Sequence, residues 1–153
     1  GDAPETEPME AGRVARHAVD TATEEFPTAT VEASAPEDGV ATASATTWLS
    51  RAVDELVRNA ILHSDRDRPA VEVSVEADAD AVRVRVADDG PGLTGMNRDV
   101  LVDGTAVDAL YHGSGLGLWL VYWVVQQSGG SASVADADPR GTVVTLTLPR
   151  AAD

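Results

Sequence analysis

The clearest periodicity in the chain lies between Thr47 and His63. There Leu49, Val53, Leu56, Val57 and Ala60 recur at helical spacing and predict an amphipathic helix. Arg51, Glu55, Asn59 and His63 fall every four residues along another face of that helix. Two runs of strict alternation follow. Val71, Val73 and Val75 interleave with Glu72, Ser74 and Glu76, and Val82, Val84 and Val86 interleave with Arg83 and Arg85. With only Asp78-Ala79-Asp80 between them, they predict an antiparallel hairpin with one buried face. Upstream, Arg13 to Phe26 reads as a helix stopped by Pro27. Ala29 to Ala33 and Val40 to Ala43 read as short strands around the turn-forming Pro36-Glu37-Asp38-Gly39. Downstream, Leu116 to Gln127 is a helix ended by Gly129-Gly130, and Ser131 to Ala135 with Thr142 to Leu148 makes a last hairpin, closed by Pro149. The stretch from Asp88 to Gly115 is glycine-rich at both ends and weakly patterned between.

Sequential hairpins with few helices predict an α+β fold: a two-layer α/β sandwich whose mixed, mostly antiparallel sheet carries helices on one face. Its 153 residues fit one domain, placed over 10–150. Residues 1–9, polar and Pro-rich, are expected to be a disordered linker.

Composition changes the picture in two ways. Only 4% of residues are aromatic, so Ala, Val and Leu must do most of the packing. Net charge is −15, and all 11 basic residues are Arg. With no basic face to release counterions, nucleic acid and anionic membranes are poor partners. The carboxylates are spread along the chain rather than massed in a tail, and this lysine-free, acidic composition resembles that of proteins from extreme halophiles. A halophilic archaeon is the expected source. Without cysteine there is neither a disulfide nor a thiolate metal site, and His17, His63 and His112 lack metal-ligand spacing. The longest apolar stretch, Leu116 to Val125, is well short of the roughly 20 residues a spanning helix needs. The N-terminal GDAPETEPME has no apolar run, so no export signal is expected and a cytoplasmic location follows.

Three clusters carry candidate chemistry. In Glu55-Leu56-Val57-Arg58-Asn59-Ala60-Ile61-Leu62-His63-Ser64, Glu55 and Asn59 point the same way from one helix. An Asn carboxamide oxygen suits Mg²⁺, which takes oxygen donors and keeps phosphate oxygens and waters. A carboxylate one turn away suits orienting or deprotonating an attacking group. Alone, the same pattern also fits a solvated helix face. Asp88-Asp89-Gly90-Pro91-Gly92 ends a strand and permits a tight reversal with close approach of a flat ligand; alone it is also an ordinary Asp/Gly/Pro turn. Gly113-Ser114-Gly115-Leu116-Gly117-Leu118 leads straight into a helix, where backbone N–H groups and the helix N-terminus favour phosphate. It is not a dinucleotide fingerprint, and without Lys the chain has no phosphate loop of the Walker type.

ELVRNAILHS, DDGPG and GSGLGL, in this order, resemble the N box and the two glycine boxes of the GHKL superfamily, which includes histidine kinases, DNA gyrase, the Hsp90 chaperones and MutL. Gly141-Thr142 through Leu148-Pro149 looks like the close of a histidine-kinase catalytic domain, and the resemblance covers about residues 10 to 149. It implies a Bergerat-type sandwich that binds ATP and Mg²⁺. Carried over, Asn59 is the Mg²⁺ ligand, Glu55 the catalytic base, and His63 lies near the phosphates. Asp88 takes the adenine amine, with Gly90 and Gly92 shaping that pocket and Thr142 supporting it. Gly113, Ser114, Gly115, Leu116, Gly117 and Leu118 wrap the phosphates beside His112, and residues 93–112 form a long ATP lid. The implied reaction is transfer of the γ-phosphoryl to a histidine on a separate dimerisation domain, and through it to a response regulator. Two relatives of the same boxes stand beside this: a serine kinase of the anti-sigma-factor type, and a non-catalytic ATP sensor.

The sequence departs from the family in places. Leu62 stands where many histidine kinases have Lys, leaving Arg58 and Arg66 as the nearby cations. The lid lacks its usual Phe, since Phe26 is the only one, and Val100 or Leu101 is expected in its place. His17 is followed by Ala18 rather than an acidic residue and reads as a surface histidine, while Trp119 and Trp123, one turn apart, read as core.

Overall fold

The computed structural model describes residues 5–91, 101–102 and 116–152. Strands β1 (Glu7–Glu10), β2 (Thr30–Ser34), β3 (Thr42–Ala45), β4 (Ala70–Ala77), β5 (Ala81–Asp88), β6 (Ser131–Asp136) and β7 (Thr142–Pro149) alternate with helices α1 (Ala11–Glu25), α2 (Leu49–Leu62) and α3 (Leu116–Gln127). Five strands form the main sheet in the order β2-β4-β5-β7-β6; β1 and β3 form a separate antiparallel pair. Only the β2–β4 pairing is parallel, so the sheet is mixed and mostly antiparallel, as the alternation predicts.

Register makes the sheet one-sided. Val73 pairs with Val86, Val86 with Val144 and Val84 with Leu146, so all five side chains share one face. Val73, Val84 and Leu146 are wholly buried there, each worth about 1.5–3 kcal/mol of hydrophobic stabilisation. The intervening residues, Ser74, Arg85 and Thr145, occupy the other face. Helices cover the buried face. α1 contributes Ala11, Val14, Ala15, Ala18 and Ala22, small side chains that let it lie close to β2 and β4. α2 contributes Leu49, Ala52, Val53, Leu56, Val57 and Ile61, one turn-by-turn stripe that leaves its polar ridge outward. α3 buries Leu118, Val121, Val124 and Val125, with Trp119 and Trp123 packed partly buried against this core. Ser128, just past α3, donates its hydroxyl to the Val124 carbonyl at 2.7 Å and accepts from the Thr46 backbone N–H at 3.1 Å. That buried link ties the end of α3 to the start of α2.

The N-terminal expectation needs correcting. Residues 7–9 are ordered in β1, not part of a disordered linker. Glu10, at its end, accepts from the Gly39 N–H at 2.9 Å and the Thr42 hydroxyl at 2.8 Å, and Met9 packs on the core. The two short strands also have other partners than their shared turn suggests. β2 joins β4 in the main sheet, while β3 pairs with β1. Alternation shows that a strand exists; it does not carry the identity of its neighbour.

Candidate functional site

β5 and β7 end on one rung of the ladder, where Asp88 pairs with Thr142. This rung meets the C-terminal half of α2, and Asn59, Ala60, His63, Asp88, Gly90, Pro91 and Thr142 line a single cleft there. Of the residues singled out from sequence, the fold brings together Asn59 and His63 on one wall and Asp88, Gly90 and Thr142 on the other.

The Asp88 wall is fastened by backbone. The Asp88 carboxylate accepts from the Gly90 N–H at 2.9 Å, which closes the turn on the side chain itself. The Thr142 backbone N–H also donates to it. Burial pushes the Asp88 carboxyl above its ordinary value, against the opposing pull of these two bonds. A carboxylate offers about four lone-pair sites, so acceptor capacity toward the cleft remains. Gly141 makes the rung possible. Its φ is +110°, and a Cβ there would stand 1.9 Å from the Asp88 carbonyl oxygen. No other residue fits.

Asn59 and His63 sit differently. Asn59 is half-buried and His63 exposed, and their side chains make no hydrogen bond to another described residue. Among the described residues no cluster of three or more His, Asp or Glu is placed to take a metal by itself. A single amide oxygen on an open ridge instead fits Mg²⁺, which is bound through one or two protein oxygens plus substrate phosphates. The half-buried Asp88 carboxylate, with lone-pair sites beyond those its two backbone donors use, fits an exocyclic amine.

Other expected residues fall elsewhere. Glu55 does not line the cleft. It faces a neighbouring hollow of about 210 Å³ between α1 and α2, together with Thr21, Phe26, Asp54 and Arg58. Its carboxylate pairs with Arg51 at 3.3 Å, and α3 passes so close that a Cβ on Gly117 would lie 2.5 Å from Glu55 Oε2. Leu118 buries its side chain in the core, which leaves only its backbone for a ligand. Of the two cations nearest the missing Lys, Arg58 pairs with Glu25 and lies 5.9 Å from the Phe26 ring centroid, and Arg66 is 3.9 Å from Asp89. Gly92, His112, Gly113, Ser114 and Gly115 lie outside the described residues, as does the side chain of Leu116. Of the expected lid, Leu101 and Val102 are described: helical, with Leu101 fully buried.

Sequence reasoning missed Arg140 and Asp65. Arg140 donates to the Gly90 carbonyl at 3.1 Å and to both carboxylate oxygens of Asp65 at 2.8 Å. Its partners are remote in sequence, so no local pattern marks it.

A two-layer sandwich with a carboxylate turn at a strand end, facing an amide-bearing helix, defines a nucleotide-binding domain of the GHKL type. Residues 44–152 match the family described as histidine kinase-, DNA gyrase B-, and HSP90-like ATPase, and the chain belongs to that family. Within it the resemblance is to the ATP-binding catalytic domain of sensor histidine kinases. Sensor histidine kinase CitA from Klebsiella pneumoniae is 33% identical over 95 residues, which are 62% of this chain but only 17% of that protein. In fold, the chain is similar to the mycobacterial sensor histidine kinase MprB (TM-score 0.73, 24% identity, 96% of this chain and 99% of that one). It is also similar to the catalytic domain of histidine kinase ThkA (TM-score 0.78, 17% identity, 97% and 99%). The ATP binding domain of PrrB from Mycobacterium tuberculosis gives 0.76 at 23% identity, again over 97% and 99%. No helix among the described residues is long and apolar enough to cross a membrane.

Proposed function

We propose that this domain binds Mg-ATP in the cleft and passes the γ-phosphoryl to a histidine presented by a separate dimerisation domain, which then serves a response regulator. The observation that carries the reading is the convergence of Asn59 and His63 from α2 with Asp88, Gly90 and Thr142 from the β5–β7 rung. Asp88 accepts the adenine amine, Thr142 supports the same end, and Gly90 lets the ring approach the backbone. Asn59 holds Mg²⁺, which when bound neutralises phosphate charge. His63 stands beside the phosphates. The glycines before α3 direct backbone N–H groups at them.

With the nucleotide fixed, catalysis is mainly positioning. Glu55, one turn from Asn59, orients the acceptor imidazole and draws its proton. For this it exchanges its Arg51 partner for the incoming domain. The acidic, lysine-free surface fits a halophilic archaeon, and the domain works in the cytoplasm.

Calorimetric titration with ATP and Mg²⁺ in concentrated salt tests the reading. Asp88→Asn is expected to weaken binding by about ten- to a hundredfold, the range of a hydrogen bond to a charged group; equal affinities overturn the adenine assignment. Acid-labile phosphate on a supplied dimerisation domain identifies histidine as acceptor, whereas acid-stable phosphate selects a serine kinase. One observation favours a sensor without transfer: Leu62 is 58% exposed where a cation is usual. Clear binding with no transfer to any supplied domain would choose that reading.

A further inference from the structure

Asp88 recognises a base only if the turn that carries it keeps its place, and among the described residues three side-chain contacts beyond those of Asp88 itself fasten that turn. The Asp89 carboxylate accepts from the Ala70 N–H at 3.2 Å and lies 3.9 Å from Arg66. The third is Arg140, which spans the cleft's walls. It follows β6 and precedes Gly141, whose backbone lies against Asp88. From there its Nε donates to the Gly90 carbonyl, and its terminal nitrogen donates to both oxygens of Asp65, two residues beyond His63. One planar guanidinium thus joins the end of α2, the turn after β5 and the start of β7, the three segments that supply His63, Asp88 and Thr142 to the cleft. An exposed ion pair by itself is worth little, but a planar guanidinium that holds a carboxylate from one nitrogen and a backbone carbonyl from another fixes the two segments relative to each other.

We propose that Arg140, set by Asp65, is a positioning residue for base selection: it fixes the Gly90 turn so that the Asp88 carboxylate meets an exocyclic amine rather than a keto oxygen. This rests on the reading of Asp88 as the adenine acceptor. A ligand that presents a keto oxygen at that point sets an acceptor against a carboxylate, and discrimination of this kind depends on rigid placement. Arg140 touches no base, so its loss acts through geometry.

The test is the ratio of ATP to ITP affinity in the presence of Mg²⁺, with thermal melting recorded for each variant. The unaltered chain is expected to prefer ATP by about tenfold or more. Arg140→Ala is expected to remove most of that preference. Arg140→Lys should not rescue it, since a single ammonium cannot hold the Gly90 carbonyl and the Asp65 carboxylate from two fixed nitrogens. Asp65→Asn should reduce it by about threefold, because the Gly90 contact survives. General destabilisation lowers both affinities together and leaves the ratio unmoved. Failure of the unaltered chain to bind ATP or to prefer it overturns the function proposed above and this inference with it. A normal preference that persists in Arg140→Ala overturns the inference alone. If Arg140→Ala does not fold, Asp65→Asn decides: a wild-type ratio in that variant overturns it.

Discussion

Asp88, Gly90 and Thr142 are held by a ladder rung and by backbone donors, whereas Asn59 and His63, on the facing wall, stand on a helix ridge with side chains that bond to no other described residue. The first wall is finished before any ligand arrives. The second offers an amide and an imidazole that no other described residue holds. Such a division suits a nucleotide, whose base is rigid and whose phosphates carry their own cation. Affinity for the base then comes from preorganisation, and affinity for the phosphates from ion-dependent contacts.

The hardest way to break this contrast is Gly141→Ala. The added carbon would sit on the Asp88 carbonyl at a positive φ, and the strand cannot recede because β5 is paired on both sides. We expect a loss of roughly 3 kcal/mol or more in denaturant unfolding, and ATP binding lost with it. Asn59→Ala should act on the other wall without touching the fold. Its side chain bonds to no other described residue, so stability should change by no more than about 0.5 kcal/mol. The Mg²⁺-dependent gain in ATP affinity should fall by about tenfold, and affinity measured without Mg²⁺ should not change. A change in both would mean that Asn59 is part of the finished wall.

The smallest effect is in pH. Burial raises the folded Asp88 carboxyl above its ordinary 3.8, so the free domain takes up a proton as pH falls through that raised value, while the unfolded chain does so later. Stability of the free domain therefore declines slightly as pH rises through this window. ATP affinity should run the opposite way, weakening as pH falls and Asp88 protonates. Titration calorimetry from neutral toward acid pH checks this, and Asp88→Asn should flatten the profile.

The same contrast explains what the sequence revealed. The α2 ridge was legible because Arg51, Glu55, Asn59 and His63 repeat at the helical period, and β4 and β5 because Val alternates with charge. Both are local patterns. Arg140 was not legible: one Arg among 11, its role comes from Asp65 and Gly90, which only the closed sheet brings near. The place of Glu55 was half legible. Spacing sets it one turn from Asn59, but its direction is decided by the approach of α3 at Gly117 and by Arg51. The order in β1 failed to show because its fastening, through Glu10, runs to Gly39 and Thr42.

Asp88 and Thr142 face one another on a rung, so the backbone leaves the two central strands and comes back to them at a single point. Between those two residues α3 is buried in the core and β6 runs along β7, so the stretches that can change length without disturbing the packing are the connections joining them. Lengthening such a connection costs only about 0.6 kcal/mol for each doubling, and the seam need not shift. Insertions there can therefore suit another acceptor or timing while the base-reading wall stays as it is.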